Sequence, residues 1–169
     1  MEKESEKIEE DLKKTVQNSI KDYPKFDLQF NSEGIGKGSF DLTVGKMFQI
    51  SGKGKMDFSD NEREIAETKE IEPEKEKEDD KYGWWNLEEG VYSIEVNEKI
   101  SLPENQAGRV YSRASLLKNG AFIVPCYLEK GFDSEKSDSG NNFTLIVQNP
   151  KGIDIKENAR ILQIVFERS

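Results

Sequence analysis

The chain has 169 residues, of which 34% are hydrophobic and 35% are charged, and its formal net charge at pH 7 is −9. A chain of this length forms one domain whose core needs neither disulfides nor a structural metal. The acidity argues against nucleic acid as a ligand, because a phosphate backbone is held mainly by massed lysine and arginine. A single nucleotide needs only a few local cations, so the acidity does not exclude a nucleotide as the ligand.

Two residue types limit the chemistry further. Cys126 is the only cysteine, and the chain has no histidine. No internal disulfide framework can form, so we expect a reducing compartment. The absence of histidine also excludes a histidine-based triad, a histidine general base and an ordinary zinc site. For catalysis at neutral pH, a carboxylate is the most favoured general base, and lysine and cysteine are the next candidates.

The N-terminal part predicts a helix. Ile8, Leu12, Val16 and Ile20 recur at four-residue steps between Glu and Lys residues, which places one apolar stripe on a helix from about Ser5 to about Lys21. Proline at position 24 ends it. This helix and its connection, residues 1–25, would pack on the domain or its oligomer. The N-terminus has no apolar signal region and no run reaches membrane-spanning length, so we expect a cytoplasmic protein without a membrane partner.

From residue 26 to residue 169 the pattern is that of an all-β domain. Short aromatic and β-branched runs are separated by Gly, Pro, Asn and acidic clusters, which is typical of a sandwich or barrel. The runs are "FDLQF", "SFDLTVGKMFQI", "GVYSIEVNEKISL", "GRVYSRASLL", "AFIVPCYL", "NFTLIVQN" and "ARILQIVFE".

Two segments interrupt the strands. Residues 70–81, "EIEPEKEKEDDK", are almost entirely charged and predict a mobile loop. Residues 133–142, "DSEKSDSGNN", are small and polar and predict an extended hairpin loop. Both lie between strands of one sheet system, so neither divides the chain into two domains.

Four blocks in order carry a family resemblance: "GSFDLTVG" (38–45), "SRASLLKNG" (112–120), "LEKGF" (128–132) and "ARILQIVF" (159–166). Together with "NEKISLPEN" before the second block, they resemble the dCTP deaminase and trimeric dUTPase superfamily, and the front half is closer to the deaminase branch. The resemblance covers roughly residues 26–166. It implies a homotrimer of distorted β jelly rolls with sites at subunit interfaces, acting on dUTP or dCTP with Mg²⁺ on the phosphates.

The second block implies a phosphate-binding turn. Arg113 can form a bidentate grip on phosphate oxygens, Ser115 adds a hydroxyl and Lys118 a compact second cation. Gly120 lets the chain leave the turn without steric cost. The resemblance is incomplete here, because Ala114 replaces the middle serine of the family's Arg-Ser-Ser and Lys118 stands where deaminases commonly carry arginine. The alternative interpretations are an interface salt bridge for Arg113 and a solvated surface residue for Lys118.

The third block separates the two reactions. By resemblance, Glu129 occupies the position of the dUTPase aspartate that directs the attacking water, although its side chain is one methylene longer. Phe132 matches the ring that packs on the deoxyribose, with core packing as the alternative. Deamination needs a glutamate in the strand that ends at Asn149, and the expected position holds Ile146, which cannot transfer protons.

The remaining two blocks supply Gln163, which matches a glutamine that binds a phosphate oxygen, and Asp41, which matches an acidic residue that is structural or assists a metal. Three hypotheses follow. The first is hydrolysis of dUTP to dUMP and pyrophosphate. The second is deamination of dCTP, alone or coupled to that hydrolysis. The third is a trimer of the same fold that binds nucleotide or another protein without turnover.

Overall fold

In the computed structural model, residues 16–18, 37–138 and 140–168 are described, and they form a predominantly β structure. The predicted all-β class is confirmed. The elements are β1 (Val16–Asn18), β2 (Lys37–Ile50), β3 (Thr68–Ile71), β4 (Trp84–Leu87), β5 (Gly90–Val96), β6 (Glu98–Ile100), β7 (Gln106–Ser112), α1 (Ala114–Lys118), β8 (Ala121–Ile123), β9 (Cys126–Leu128), β10 (Asn142–Val147), β11 (Ile153–Lys156) and β12 (Arg160–Arg168).

The main sheet has eight strands and depends on the long strand β2. The strand order is β8-β10-β5-β2-β12-β7-β9, with β3 also paired to β2. The first half of β2 pairs with β12, whereas its second half pairs with β5 and β3. A single strand therefore belongs to both halves of the sheet. Two small two-stranded sheets, β1-β6 and β11-β4, complete the described architecture.

The core lies between the inward faces of these strands. Alternate residues of β5, β10 and β12 are buried, as expected for strands with one face on a core and one toward solvent. Phe40 of β2 and Phe166 of β12 meet edge to face, with ring centroids 5.7 Å apart. Both rings are fully buried, and their edge-to-face contact stabilises the fold beyond the effect of that burial.

Between its two halves, β2 bends over a buried polar cluster. Its register with β5 shifts between Val44 and Lys46, and a side chain at Gly45 would collide with the amide group of Asn97. The buried carboxylate of Glu98 accepts hydrogen bonds from the backbone N–H of Thr43 (3.0 Å) and from its hydroxyl (2.7 Å). Glycine at the bend therefore lets β2 approach the end of β5 closely. The Glu98 carboxylate accepts the backbone N–H of Thr43, which the bend leaves without a partner in the sheet.

Most of the predicted strand runs are confirmed, and one is corrected. The runs beginning at residues 39, 90, 121, 142 and 159 coincide, to within two residues at the ends of β2 and β12, with β2, β5, β8, β10 and β12. In "GRVYSRASLL" the strand ends at Ser112, and Ala114–Lys118 form a short helix instead. The run "FDLQF" lies outside the described residues. The four-residue strands β3, β4 and β11 were not predicted.

The predicted N-terminal helix is wrong at the residues where it can be compared. Val16–Asn18 form a strand that pairs antiparallel with β6, in register Val16↔Ile100. Backbone pairing with a neighbouring strand overrides the four-residue periodicity there, since local propensity is a weak guide once a tertiary partner is available. The rest of the predicted helix lies outside the described residues.

The two predicted loops are corrected in part. Residues 70 and 71 of the charged segment belong to β3, and Glu74 forms an isolated β-bridge with Trp84, so this segment is not a free loop throughout. The polar segment 133–142 joins β9 to β10, but these strands lie near opposite ends of the sheet order and do not pair. It is therefore a crossover rather than a hairpin loop. In the described ranges, no helix has both the length and the apolar character needed to cross a membrane.

We predict that Thr43→Val lowers the free energy of unfolding by about 1.5–3 kcal/mol, because it removes the buried hydroxyl that donates to the Glu98 carboxylate. Urea unfolding followed by circular dichroism, at matched protein concentrations, measures the change. Thr144→Val is the matched control, since it makes the same substitution at a half-buried strand position whose hydroxyl has no such partner; it should change stability by less than about 0.5 kcal/mol. Equal effects of the two substitutions would contradict the role assigned to the polar cluster.

Candidate active site

Polar side chains converge on one face of the β2-β12-β7 part of the sheet. In the antiparallel register, Gln163 of β12 lies directly opposite Asp41 of β2 on one side and opposite Tyr111 of β7 on the other. Residues opposite each other on adjacent strands have their side chains on the same face. The first, second and fourth sequence blocks are therefore brought together, although Asp41 and Gln163 are more than a hundred positions apart in the chain.

An ionic cluster, which we call the arginine–aspartate cluster, lies beside Gln163 and consists of Asp41, Arg113 and Arg160. The Asp41 carboxylate lies 3.5 Å from Nε of Arg113 and 3.7 Å from Nη1 of Arg160. In addition, Nη1 of Arg113 donates a hydrogen bond to the backbone carbonyl of Arg160 at 3.3 Å. Two guanidinium groups thus share one carboxylate, and both arginine side chains remain about 30% exposed.

A β-bulge in β12 explains why Arg160 reaches this face. Arg160 pairs with Thr43 and Leu162 pairs with Leu42, so Ile161 is an extra residue in the strand. Without it, strand alternation would direct Arg160 and Gln163 to opposite faces. Ile161 and Leu162 are both buried, as expected when an extra residue shifts the alternation. The carbonyl of Ile161 also accepts the backbone N–H of Arg113 at 2.9 Å, which ties the end of β7 to the bulge.

The helix α1 presents the other residues of the second block. Ser115 and Lys118 lie on this short helix and are exposed, and the Ser115 carbonyl accepts a hydrogen bond from the Asn119 side chain. Gly120 follows with φ of +73°, and a side chain there would collide with Asn149. The predicted use of glycine to leave the turn is confirmed. The two candidate phosphate ligands are accessible, whereas Arg113 is partly enclosed by the cluster.

The third block lies at the other end of β7. Leu128 of β9 pairs with Gly108, so at about 3.3 Å per residue Glu129 lies roughly 15–20 Å from Arg113. Glu129 is exposed on a turn in which its carbonyl accepts the N–H of Phe132. Gly131 donates to the Pro103 carbonyl, which fixes the turn against the "SLPEN" segment. Within one chain, the candidate acid and the candidate phosphate ligands are not brought together.

The two apolar positions singled out in the sequence differ in setting. Phe132 is partly buried and packs against the edge of the hydrophobic core, while its carbonyl accepts the N–H of Leu102 at 2.7 Å. Ile146 lies in the middle of β10, opposite Val91 of β5 and Phe122 of β8. The strand position where deamination would need a glutamate is therefore surrounded by apolar neighbours.

The single cysteine is not poised as a nucleophile. Cys126 lies at the start of β9 and is exposed at the surface, although neighbouring protein atoms partly desolvate its thiol and raise the pKa above the ordinary value of 9.0. A raised pKa leaves little of the reactive thiolate at neutral pH. In the described part of the chain, no group of three or more Asp, Glu, Cys and His residues is arranged to hold a metal ion. Both oxygens of the Asp41 carboxylate face arginine.

The fold and the polar face define an all-β protein with an arginine–aspartate cluster on one face of the β2-β12-β7 part of its main sheet. The sequence model of the dCTP deaminase-like family matches residues 7–169. The chain belongs to that family, as the resemblance of the four sequence blocks predicted.

Among similar proteins, a deoxyuridine 5'-triphosphate nucleotidohydrolase of Methanocaldococcus jannaschii is 37% identical over 134 residues, which are 79% of this chain and 78% of that protein. A probable deoxyuridine 5'-triphosphate nucleotidohydrolase of Methanosarcina mazei is 33% identical over 78% of this chain and 71% of its own length. A protein of the same name from Archaeoglobus fulgidus is 28% identical over 94% of this chain and 85% of its own length.

A solved structure supports the fold. The crystal structure of 2'-deoxycytidine 5'-triphosphate deaminase from Agrobacterium tumefaciens superposes with a TM-score of 0.57 at 14% identity, over 98% of this chain and 47% of that chain. The chain thus spans about half the length of that protein. At this identity the likeness concerns the fold alone, and it confirms that the chain has a fold of the dCTP deaminase type.

We predict that the Cys126 thiol reacts more slowly with Ellman's reagent at pH 8 in the folded chain than in the same chain unfolded in urea. The raised pKa lowers the thiolate fraction of the folded protein at every pH below that pKa. Because the chain has one cysteine, the pH dependence of the rate reports on this thiol alone, and its midpoint should lie above 9.0. A midpoint near 7 would instead make Cys126 a candidate nucleophile.

Proposed function

We propose that this protein hydrolyses dUTP to dUMP and pyrophosphate. The observation that carries the proposal is the convergence of Asp41, Arg113 and Gln163 on one sheet face from three distant parts of the chain. Guanidinium and amide groups in that arrangement suit phosphate oxygens. The names of the archaeal relatives, at up to 37% identity, support uracil deoxynucleotide as the substrate.

The complete site is formed between two copies of the chain. Arg113 and Glu129 lie near opposite ends of β7, roughly 15–20 Å apart, and a water-directing acid must lie within hydrogen-bonding distance of the water it activates. A second copy that brings its Glu129 turn to the arginine–aspartate cluster of the first satisfies both requirements. In a homotrimer with threefold symmetry, the same contact repeats around the ring and produces three identical sites.

Each residue then has a defined role. Arg113, Ser115, Lys118 and Gln163 bind the phosphate chain and hold the α-phosphorus in line with the attacking water. Glu129 of the neighbouring copy accepts a proton from that water as its oxygen bonds to the α-phosphorus. The bond from the α-phosphorus to the bridging oxygen breaks, and pyrophosphate leaves with the electron pair. Phe132 packs against the deoxyribose and excludes a 2'-hydroxyl.

Magnesium enters as part of the substrate. No cluster of carboxylates in the described residues is arranged to hold the ion, and Mg²⁺ is commonly bound mainly by substrate phosphates and water. We therefore propose the Mg²⁺ complex of dUTP as the species that binds. The ion neutralises charge that develops on the phosphate oxygens.

Deamination of dCTP is the second candidate, and it is favoured by the family match and by the deaminase fold. Ile146 opposes it, because the strand position expected to exchange protons with the base carries an alkyl group between apolar neighbours. A protein that binds nucleotide without turnover is the third candidate. This third candidate is supported by four positions at which the chain differs from catalytic members of the family, namely Ala114, Lys118, Glu129 and Ile146.

We predict that the purified protein releases pyrophosphate from dUTP in the presence of Mg²⁺, and that Glu129→Gln lowers kcat by at least about 100-fold because the water loses its base. Product analysis by chromatography, with dUTP and dCTP incubated side by side, measures both reactions. Conversion of dCTP to dUTP would establish the deaminase, while saturable binding without any product would establish the third candidate. Equal rates for the native chain and Glu129→Gln would end the proposed role of Glu129.

A mixing experiment tests whether two chains form one site. Arg113→Ala and Glu129→Gln should each be inactive alone, but an unfolded and refolded equal mixture should regain activity, because some sites combine an intact Arg113 with an intact Glu129. For random assembly, about one quarter of the sites are intact. Activity that stays at the level of the separate variants would show that both residues act within one chain. Arg63→Gln mixed with Glu129→Gln is the control for refolding, since Arg63 lies on an exposed loop.

A further inference from the structure

We infer that Tyr111, which lies just before the second sequence block, is a further phosphate-binding residue of this site and donates its hydroxyl group to the phosphate chain of the substrate. The inference deepens the proposed function and rests on it. Its basis is a pair of polar side chains, Tyr111 of β7 and Gln163 of β12, which lie directly opposite each other in the sheet.

Tyr111 and Gln163 share one face of the sheet but do not use each other's polar atoms. Their pairing places the two Cβ atoms about 4.5–5.5 Å apart. Within the described residues, neither the Tyr111 hydroxyl nor the Gln163 side-chain amide has a hydrogen-bond partner. Gln163 is half-buried, and polar groups withdrawn from water normally have a partner. Two neighbouring polar groups in this state are available to a ligand.

Arg113 adds a cation on the same face. It follows Tyr111 by two positions, and residues two apart in a strand share a face. Its contact with Asp41, which lies opposite Gln163 on the far side, agrees with that placement. Within the described residues, the polar contacts of the Arg113 side chain involve Nε and Nη1, so the N–H groups of Nη2 remain available.

This set of donors favours a ligand rich in acceptors. A guanidinium group can only donate, and a phenol and a carboxamide can each donate. Adjacent strands are about 4.8 Å apart, so Gln163 and Tyr111 offer donors at successive positions across the sheet. A phosphate chain carries charged oxygens on each phosphorus and can accept from all three side chains, and hydrogen bonds to charged oxygens are the stronger kind. We therefore assign the Tyr111 hydroxyl to the phosphate chain rather than to the base or the sugar.

The backbone holds Tyr111 in a fixed position. Val110 before it is fully buried, and the hydroxyl of Ser112 after it accepts the backbone N–H of Ile123 at 2.7 Å. The side chain of Tyr111 remains 36% exposed and rotates about only two side-chain bonds. A tyrosine placed on a rigid strand therefore loses little conformational entropy when a ligand binds it.

The experiment measures binding by calorimetry, with Mg²⁺, for the native chain, Tyr111→Phe and the control Tyr127→Phe. The two probes are the non-hydrolysable analogue 2'-deoxyuridine 5'-(α,β-imido)triphosphate and inorganic tripolyphosphate, which has neither base nor sugar. We expect Tyr111→Phe to weaken both probes by the same factor, about 10- to 100-fold, as for the loss of a hydrogen bond to a charged group. Its melting temperature should stay within about 2 °C of the native value, because the hydroxyl has no partner in the described part of the chain.

Tyr127→Phe is the matched control, since it removes the same hydroxyl from an exposed tyrosine on the neighbouring strand β9. The Tyr127 ring, which lies 6.0 Å from the guanidinium carbon of Arg109, is retained in this variant. Tyr127→Phe should bind both probes within threefold of the native affinity.

The outcomes separate this inference from the proposed function. If the native chain binds the analogue and Tyr111→Phe binds it equally well, the inference fails while the proposed function stands. A loss confined to the analogue, or a native chain that does not bind tripolyphosphate, would overturn the assignment to the phosphate chain. An equal loss in Tyr127→Phe, or a melting temperature of Tyr111→Phe lowered by more than about 5 °C, would also overturn the inference. If the native chain neither binds the analogue nor releases pyrophosphate from dUTP, both proposals fail.

Discussion

The candidate site depends on one backbone irregularity, the bulge that Ile161 inserts into β12. A strand without the extra residue would carry Arg160 and Gln163 on opposite faces. With it, an arginine and a glutamine three positions apart share a face, and the carbonyl of Ile161 receives the N–H of Arg113 from the end of β7. Bulges redirect side chains in this way next to functional sites. The placement of Arg160 on the same face as Asp41 and Gln163 follows from this local change in alternation.

The length of β7 imposes the second constraint. β7 connects the arginine–aspartate cluster at its C-terminal end to the pairing with β9 near its N-terminal end. A strand is too stiff to fold back on itself, so the Glu129 turn cannot reach Arg113 of the same chain. A site that uses both must be assembled from more than one copy. Catalysis would then depend on protein concentration and on the subunit interface as well as on the residues of one chain.

Local electrostatics differ from the overall charge. A net charge of −9 disfavours the binding of long polyanions such as nucleic acid. Arg113 and Arg160 nevertheless place two guanidinium groups beside the Asp41 carboxylate over a small area of the surface. A small, highly charged ligand such as a nucleoside triphosphate can use that area, whereas a long nucleic acid would also meet the acidic remainder. The acidic composition and a phosphate site are therefore compatible.

The sequence by itself determined the class of fold and the family, and it supplied Asp41, Arg113 and Gln163 as candidate site residues. Strands such as β10 and β12 could be predicted because their apolar alternation is local and strong, and Gly120 because a turn of that geometry needs a residue without a side chain. Val16–Asn18 were predicted as helix because periodicity carries no information about a strand partner elsewhere in the chain. The contact of Arg160 with Asp41 was not predicted for a related reason: the direction of the Arg160 side chain depends on a bulge defined by pairing with β2. Only the tertiary structure decided which residues meet, since the pairing of Asp41 with Gln163 and the separation of Arg113 from Glu129 follow from strand order and register, which are non-local.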